Sequence, residues 1–297
     1  MLDLDNVRAF VRVADLGNFT RAAEQLGAPK SRVSLQVKAL EAALGSRLLQ
    51  RTTRAVRLTP DGDQFLGRAR ALLDEAEELA AMFQATSTLR GRVRLDVPIA
   101  LAREAVIPRL PELFALHPHL ELALSTTDRR VDVVRDGFDL VLRVGALADS
   151  GLVARQVGSF TMGNAASPAY VRKYGLPRSP DDLGRHFLVH YSPGLTDEPS
   201  FEYRAGGCDH VRPMKSLVTV NGTDAYTSAC LAGLGIIQTP RYGLNPRLRR
   251  GELVEVLPEF TCAPMPVSIV HAHGKAVPKR VRAVMTWLAQ AVEAALA

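Results

Sequence analysis

Cysteine is scarce in this chain: Cys208, Cys230 and Cys262 stand far apart in 297 residues. They form no CxxC pair and are odd in number, so neither a disulfide framework nor a thiol metal site is expected. Each is read as a small buried hydrophobe in a reducing compartment. Long apolar runs are missing too, and no stretch reaches the ~20 residues that a membrane span needs. The start, MLDLDNVRAF, is acidic and lacks an apolar core. No signal peptide and no membrane partner are expected, and the location is expected to be cytoplasmic. The phosphate-cradling GxGxxG and P-loop patterns and the GxSxG nucleophile turn are also absent.

Candidate enzyme chemistry is thin. Cys208-Asp209-His210 sets a thiol next to a base, but such dyads are normally assembled from distant segments. His117-Pro118-His119 and His271-Ala272-His273 lack a third ligand at a telling spacing. No catalytic residue, metal or cofactor is expected, and the chain is not read as an enzyme.

What is present is an ordinary globular composition, 47% hydrophobic and 23% charged, over a length that suits two or three domains. The charge is unevenly spread. Between residues 28 and 58 stand Lys30, Arg32, Lys38, Arg47, Arg51, Arg54 and Arg57 against the single acid Glu41. That segment carries +6, equal to the excess of the whole chain, 37 Lys and Arg against 31 Asp and Glu. Such focusing is the footprint of a phosphate-backbone binder.

The same region reads as a helix-turn-helix over 19–41, FTRAAEQLGAPKSRVSLQVKALE. Thr20 is expected to cap the first helix, Gly27 to end it, and Pro29 to open the second. Val33, Val37, Leu40 and Leu44 recur at helical spacing as a buried stripe. Ser31, Ser34, Leu35 and Lys38 lie opposite, with Lys30 and Arg32 at the edges. Alone, this describes any helical hairpin in a basic protein. The basic strand-turn-strand pattern of 46–58, SRLLQRTTRAVRL, adds a wing. A first helix is expected over 4–14.

Thr59-Pro60 then opens a long helix, with Asp61 and Asp63 at its positive end. Leu66, Ala69, Leu73, Ala76, Ala80 and Phe83 alternate three and four apart, a heptad seam widened by Phe65, Leu72 and Leu79. It is expected to pair two subunits. From residue 91 strands and helices alternate: strands at 92–97, 120–126 and 139–144, a helix at 103–116 broken by Pro108 and Pro111, and another at 129–136 capped by Asp128. This βαβ rhythm predicts a mainly parallel sheet. Near residue 160 a second lobe begins. Ser167-Pro168 and Ser179-Pro180 open helices, and the chain ends in a helix over 279–296.

Residues 1–66 resemble the amino-terminal domain of LysR-type transcriptional regulators. The matching pieces are LDNVRAFVRVADLGNFTRAAEQLG and SRVSLQVKALEAALGSRLLQRTTRAVRLTPDG. Further on, Thr127-Asp128-Arg129-Arg130, VDVVRDGFDLVLRVG, SPAYVRKYG and VNGTDAYTSACLAGLGIIQTP resemble the effector domain of the same family. The resemblance implies an α/β protein: a winged helix-turn-helix, a long linker helix and a two-lobed effector domain like a periplasmic binding protein. It implies binding to double-stranded promoter DNA with a partly palindromic site, a homodimer through the linker helix, a homotetramer through the effector domains, and RNA polymerase as a further partner. The expected divisions are a DNA-binding domain over 1–58, linker and hinge over 59–90, and an effector domain over 91–297. Its first lobe spans 91–163 and 266–297, and its second 164–265. Two positions depart from the family. Ala28-Pro29 stands where a Ser or Thr usually caps the recognition helix. Leu35 stands where an Arg is common, offering a thymine methyl an apolar contact instead.

The residues expected at DNA are Thr20, Arg21, Lys30, Ser31, Arg32, Ser34, Leu35 and Lys38, with Arg51, Arg54 and Arg57 on the wing. Open parallel sheets bind ligands beyond the carboxyl ends of their strands. That rule selects Ile99, Ala100 and Leu101, Thr126 and Thr127, and Arg143 to Gly145 in the first lobe. In the second it selects Asn221, Thr223, Asp224, Gln238 and Thr239. The effector is expected to be a small, partly apolar anion, with Arg143 either clamping it or pairing with a neighbouring acid. The alternative is a small-molecule-binding module whose basic head meets another partner, such as RNA.

Overall fold

The computed structural model describes residues 2–51, 56–81, 89–147, 151–274 and 277–296. Three helices come first: α1 (Leu4–Leu16), α2 (Phe19–Leu26) and α3 (Lys30–Leu44). Gly27 closes α2 at φ 61°, a left-handed turn that a side chain would strain. Two boundaries differ by a residue or two from expectation. Asn18, not Thr20, caps α2: its Oδ1 accepts from the amides of Thr20 at 2.8 Å and Arg21 at 3.2 Å. Asn is the stronger cap of the two. Pro29 is extended, at φ −61° and ψ 143°, and stands just before α3 rather than inside it.

Strands β1 (Leu49–Arg51) and β2 (Val56–Leu58) pair antiparallel as the wing. Helix α4 (Pro60–Ala81) follows. Thr59 holds its start: Oγ1 accepts from the Gly62 amide at 2.9 Å and donates to the Arg47 carbonyl at 2.6 Å. The expected seam divides here. Leu66, Ala69 and Leu73 are buried in the core of their own amino-terminal unit, with Val7, Phe10, Val13, Val33, Val37 and Leu40. Phe65 packs on Phe10, ring centroids 5.6 Å apart. What α4 leaves outside is Leu72, 41% exposed, and Leu79, 58% exposed. Phe83 and the side chain of Ala80 lie outside the described residues.

The carboxyl-terminal part begins with β3 (Arg90–Val97) and α5 (Ile99–Leu101). A wide π-type turn, Ala102–Val106, and a 3₁₀ turn, Ile107–Arg109, lead into α6 (Leu110–Leu116). Pro108 and Pro111 remove two amide donors there, so one regular helix does not form. Next come β4 (His119–Thr126), β5 (Leu140–Val144) and β6 (Val153–Phe160). The chain crosses at Thr161 into β7 (Met162–Ala166), then α7 (Pro168–Tyr174), a 3₁₀ turn Pro180–Arg185 and β8 (Phe187–Tyr191). A hairpin of β9 (Ser200–Ala205) and β10 (Cys208–Pro213) precedes β11 (Lys215–Val220) and α8 (Thr223–Leu231). Then follow β12 (Ile237–Pro240), α9 (Arg241–Arg249) and β13 (Val254–Glu255). The chain returns through β14 (Met265–His271) to end in α10 (Lys279–Leu296).

In the first lobe the strand order is β4-β3-β5-β14-β6. Strand β3 is parallel to β4 and β5, but β14 runs antiparallel to β5 and β6, so the sheet is mixed rather than mainly parallel. Val281, Val284, Leu288, Val292 and Trp287 of α10 are buried in its core. The second lobe holds three smaller sheets, β12-β7-β13, β11-β8 and β10-β9. Residues 133–137 form turns, and the expected helix over 129–136 does not form. Asp132 folds them, its Oδ1 accepting from the amides of Val134 and Arg135. Cys208 is exposed in the hairpin, whereas Cys230 is buried and burial pushes its thiol up to about 12.

The two parts touch where glycines allow it. A Cβ on Gly67 of α4 would lie 2.6 Å from the Val134 carbonyl oxygen, and one on Gly137 would lie 2.8 Å from Nη1 of Arg70. Arg70 also forms an ion pair with Asp15 of α1. Within the amino-terminal unit the tightest approach is Gly62, whose Cβ would stand 2.0 Å from the Leu48 carbonyl oxygen. An Ala for Gly in a helix normally stabilises by up to about 1 kcal/mol. Here the overlap reverses the sign. Gly62→Ala is expected to destabilise the amino-terminal unit by about 1–3 kcal/mol, read as a lower urea midpoint; an unchanged or higher midpoint refutes the contact.

Candidate functional site

The first site is the outer face of α3. Val33, Val37 and Leu40 are fully buried, which turns Lys30, Ser31, Arg32, Leu35 and Lys38 outward; Leu35 is 66% exposed. Ser34 is half-buried beside them, and Thr20 and Arg21 of α2 are exposed. Glu41, the one acid of this basic segment, points inward. Its Oε1 accepts from the amides of Leu48 and Leu49 at 3.0 and 3.1 Å, tying the wing to α3. The acid is therefore used as a strut, and the charged side chains on the exposed face of α3 are Lys30, Arg32 and Lys38. Sequence alone counted Glu41 as a neutraliser; its distance of seven residues from Leu48 gave no local signal. Arg57 is exposed on the wing. Arg54 and the side chain of Arg51 lie outside the described residues.

The second site is the cleft between the lobes, at the carboxyl ends of β3, β4 and β5. Ile99 and Ala100 are half-buried at its rim. Leu101 is a correction: it is 1% exposed and belongs to the first lobe's core. Thr126 is exposed, and Thr127 Oγ1 accepts from the Arg129 amide in a turn. Gly145 donates its amide to the Pro266 carbonyl at 2.8 Å. Across the cleft, Asn221 is exposed and Thr239 half-buried. Gln238 is committed within the second lobe. Its Oε1 accepts from the Glu202 amide, and its Nε2 donates to the Glu202 carbonyl and to Asn164 Oδ1.

Arg143 is committed as well. Nη2 donates to the Val131 carbonyl at 2.6 Å and Nη1 to the Arg129 carbonyl at 3.4 Å, with the buried Asp96 carboxyl 3.8 Å away. Burial lowers the guanidinium's pKa and raises that of the Asp96 carboxyl, while each charge partly offsets the effect on the other. Of the two roles open to Arg143, the geometry fits the scaffold role, which removes the clamp on which the anion expectation rested.

Two side chains that sequence reasoning did not place in the site, Asp128 and Arg103, join the lobes. Asp128 does not cap a following helix. Its Oδ1 accepts from the Ile99 amide at 3.0 Å and its Oδ2 from the Thr223 amide at 2.7 Å. Helix α8 begins at Gly222, which brings no capping side chain of its own, so the acceptor comes from the opposite lobe. That glycine N-cap was the available signal. Arg103 forms an ion pair with Asp224, whose hydrogen bond holds the guanidinium charged. The Thr223 hydroxyl is buried beside Asp128 without a hydrogen-bond partner. Among the described residues no group of His, Cys, Asp or Glu is arranged to hold a metal, and no helix is long and apolar enough to cross a membrane.

These two sites meet matching families. The model for the bacterial regulatory helix-turn-helix protein, lysR family, matches residues 4–63, and that for the LysR substrate binding domain matches 86–293. The HTH-type transcriptional regulator YhjC of Escherichia coli strain K12 is 44% identical, over 96% of this chain and 97% of that protein. An HTH-type transcriptional repressor of Pseudomonas aeruginosa strain UCBPP-PA14 is 37% identical, over 96% and 90%. The solved structure of CrgA, a LysR-type transcriptional regulator from Neisseria meningitidis, matches with a TM-score of 0.61 at 29% identity, covering 98% of this chain and 99% of that one. The chain belongs to the LysR family: it is a DNA-binding transcriptional regulator with an effector-binding domain, and not an enzyme.

Proposed function

We propose that α3 is the recognition helix, reading promoter DNA in the major groove through Lys30, Ser31, Arg32, Ser34, Leu35 and Lys38. Thr20 and Arg21 meet the adjoining backbone, and Arg51, Arg54 and Arg57 hold phosphates from the wing. The observation that carries this is the outward face of α3, all polar, basic or apolar-exposed, above a stripe that is fully buried. Leu35 in place of a cation makes that readout an apolar contact, suited to a thymine methyl. The protein works in the cytoplasm on double-stranded DNA and passes its state to RNA polymerase at the promoter.

Pairing runs through α4, on Leu72 and Leu79 rather than on Leu66, Ala69 and Leu73. Those three already pack on their own unit. Two recognition helices then address two half-sites, and effector domains of two pairs join as a tetramer. A small-molecule effector binds between the lobes, against Ile99, Ala100, Thr126, Thr127, Gly145, Asn221, Thr223, Asp224 and Thr239.

Two outcomes test the DNA and dimer assignments. Arg57→Ala is expected to weaken binding to every duplex and to reduce the slope of log affinity against log salt by about 0.9, measured by fluorescence anisotropy on the gene's own upstream DNA. An unchanged slope removes the wing from the interface. The double change Leu72→Glu and Leu79→Glu is expected to give monomers by light scattering and to cost about a hundredfold in operator affinity through lost avidity. Leu73→Glu is expected instead to unfold the amino-terminal unit, because its charge is buried there. Dimers that survive the double change sink the revised seam.

A further inference from the structure

The two bridges across the cleft land on consecutive residues of α8. The Asp128 carboxylate reaches from the end of β4 in the first lobe to the amide of Thr223, and Arg103 reaches Asp224. The Asp128 carboxylate also receives the Ile99 amide. It thus sits between one N–H donor from each lobe, at the start of the nine-residue α8, where negative charge is favoured. That is the arrangement by which a free carboxylate would draw two lobes together. Both arginines near this point already have partners: Arg103 pairs with Asp224 and Glu104, and Arg143 holds the carbonyls of residues 129 and 131.

We propose that Asp128 is an internal ligand of the cleft: its tethered carboxylate occupies the Ile99 and Thr223 amides, holds the lobes together without effector, and excludes small carboxylates from that point. The proposal rests on the cleft being the effector site and names the class that the site turns away. An effector that enters engages the outer lone pairs of Asp128 as a hydrogen-bond donor, or displaces the carboxylate and opens the lobes. Opening the lobes would uncover the Thr223 hydroxyl, buried here without a hydrogen-bond partner, as a second polar contact. The tether makes the effective concentration of this carboxylate far higher than that of any free one, so displacement requires a ligand with further contacts.

The test is rescue by a small carboxylate. Full-length wild type, Asp128→Ala and Asp128→Asn are unfolded thermally in sodium acetate and in sodium chloride of equal ionic strength. Distances between spin labels placed on exposed positions of the two lobes are recorded in parallel. Asp128→Ala is expected to melt lower than wild type and to regain about 3 °C or more in acetate at ten times its dissociation constant. Its inter-lobe distance should narrow again with acetate. Wild type and Asp128→Asn are expected to be indifferent to acetate over chloride. An Asp128→Ala protein blind to acetate, or a wild type that gains as much, overturns the proposal. If Asp128→Ala does not fold, Asp128→Asn decides: it keeps the shape and one acceptor, so its inter-lobe distances must broaden, and wild-type distances refute the latch. Operator binding separates this from the effector assignment. Wild type that answers a metabolite mixture while Asp128→Ala ignores acetate removes the latch alone. Acetate rescue of Asp128→Ala, with operator binding identical to wild type in chloride as well as in acetate, supports the latch and removes this cleft as the sensing site.

Discussion

The close approach of Gly62 to the Leu48 carbonyl fixes the rest of the amino-terminal unit. No side chain fits between the start of α4 and the wing, so the helix must enter at one angle. Entering there, it lays Leu66, Ala69 and Leu73 into the core beneath α1 and α3. The linker helix is therefore part of the DNA-binding unit's interior and not an appendage to it. Thr59, bonded to both Arg47 and Gly62, and Glu41, bonded to the amides of Leu48 and Leu49, fasten the same junction with side chains. An element buried in this way moves with α3 as one body.

Much of this unit was legible because its signals are local. A glycine turn, a proline and a three-four stripe mark a helix-turn-helix wherever they occur together. The errors came where two local signals competed or where the partner was distant. Asn18 and Thr20 both can cap, and the better acceptor won. The periodicity of α4 showed that Leu66, Ala69 and Leu73 would be buried, but periodicity carries no information on whose surface buries them. The stretch 129–136 has helical spacing of Val131, Val134 and Arg135, yet Asp132 captures the amides of Val134 and Arg135 and closes a turn. Side-chain bonding of that kind competes directly with helix.

The cleft was the least legible part. The strand-end rule selects loops at the carboxyl ends of β3, β4 and β5 but not their chemistry, because that chemistry is made by pairs far apart in sequence. Asp128 and Thr223 are 95 residues apart, and Arg103 and Asp224 are 121 apart. Arg143 stood out as a charge at a strand end. Its environment, a buried acid and two carbonyls, turns that charge to holding the 129–131 loop. Gln238 is similar: both ends of its amide go to the Glu202 backbone, as a neighbouring strand's would. Single-letter patterns cannot distinguish a polar group facing a ligand from one completing the fold.

The meeting of Gly67 with Val134, backbone against backbone, sets up a mechanical advantage. The turn it touches begins five residues after Asp128, so the loop from the cleft reaches α4 near one end. From Gly67 to the last residue of α4 is 14 residues, about 21 Å of rigid helix. Any rotation about that contact moves the far end of α4 further than the buried near end. The contact therefore lies on the half of α4 whose buried face, Leu66, Ala69 and Leu73, packs with α1 and α3, and it ties the loop after Asp128 to that unit rather than to the helix's far end.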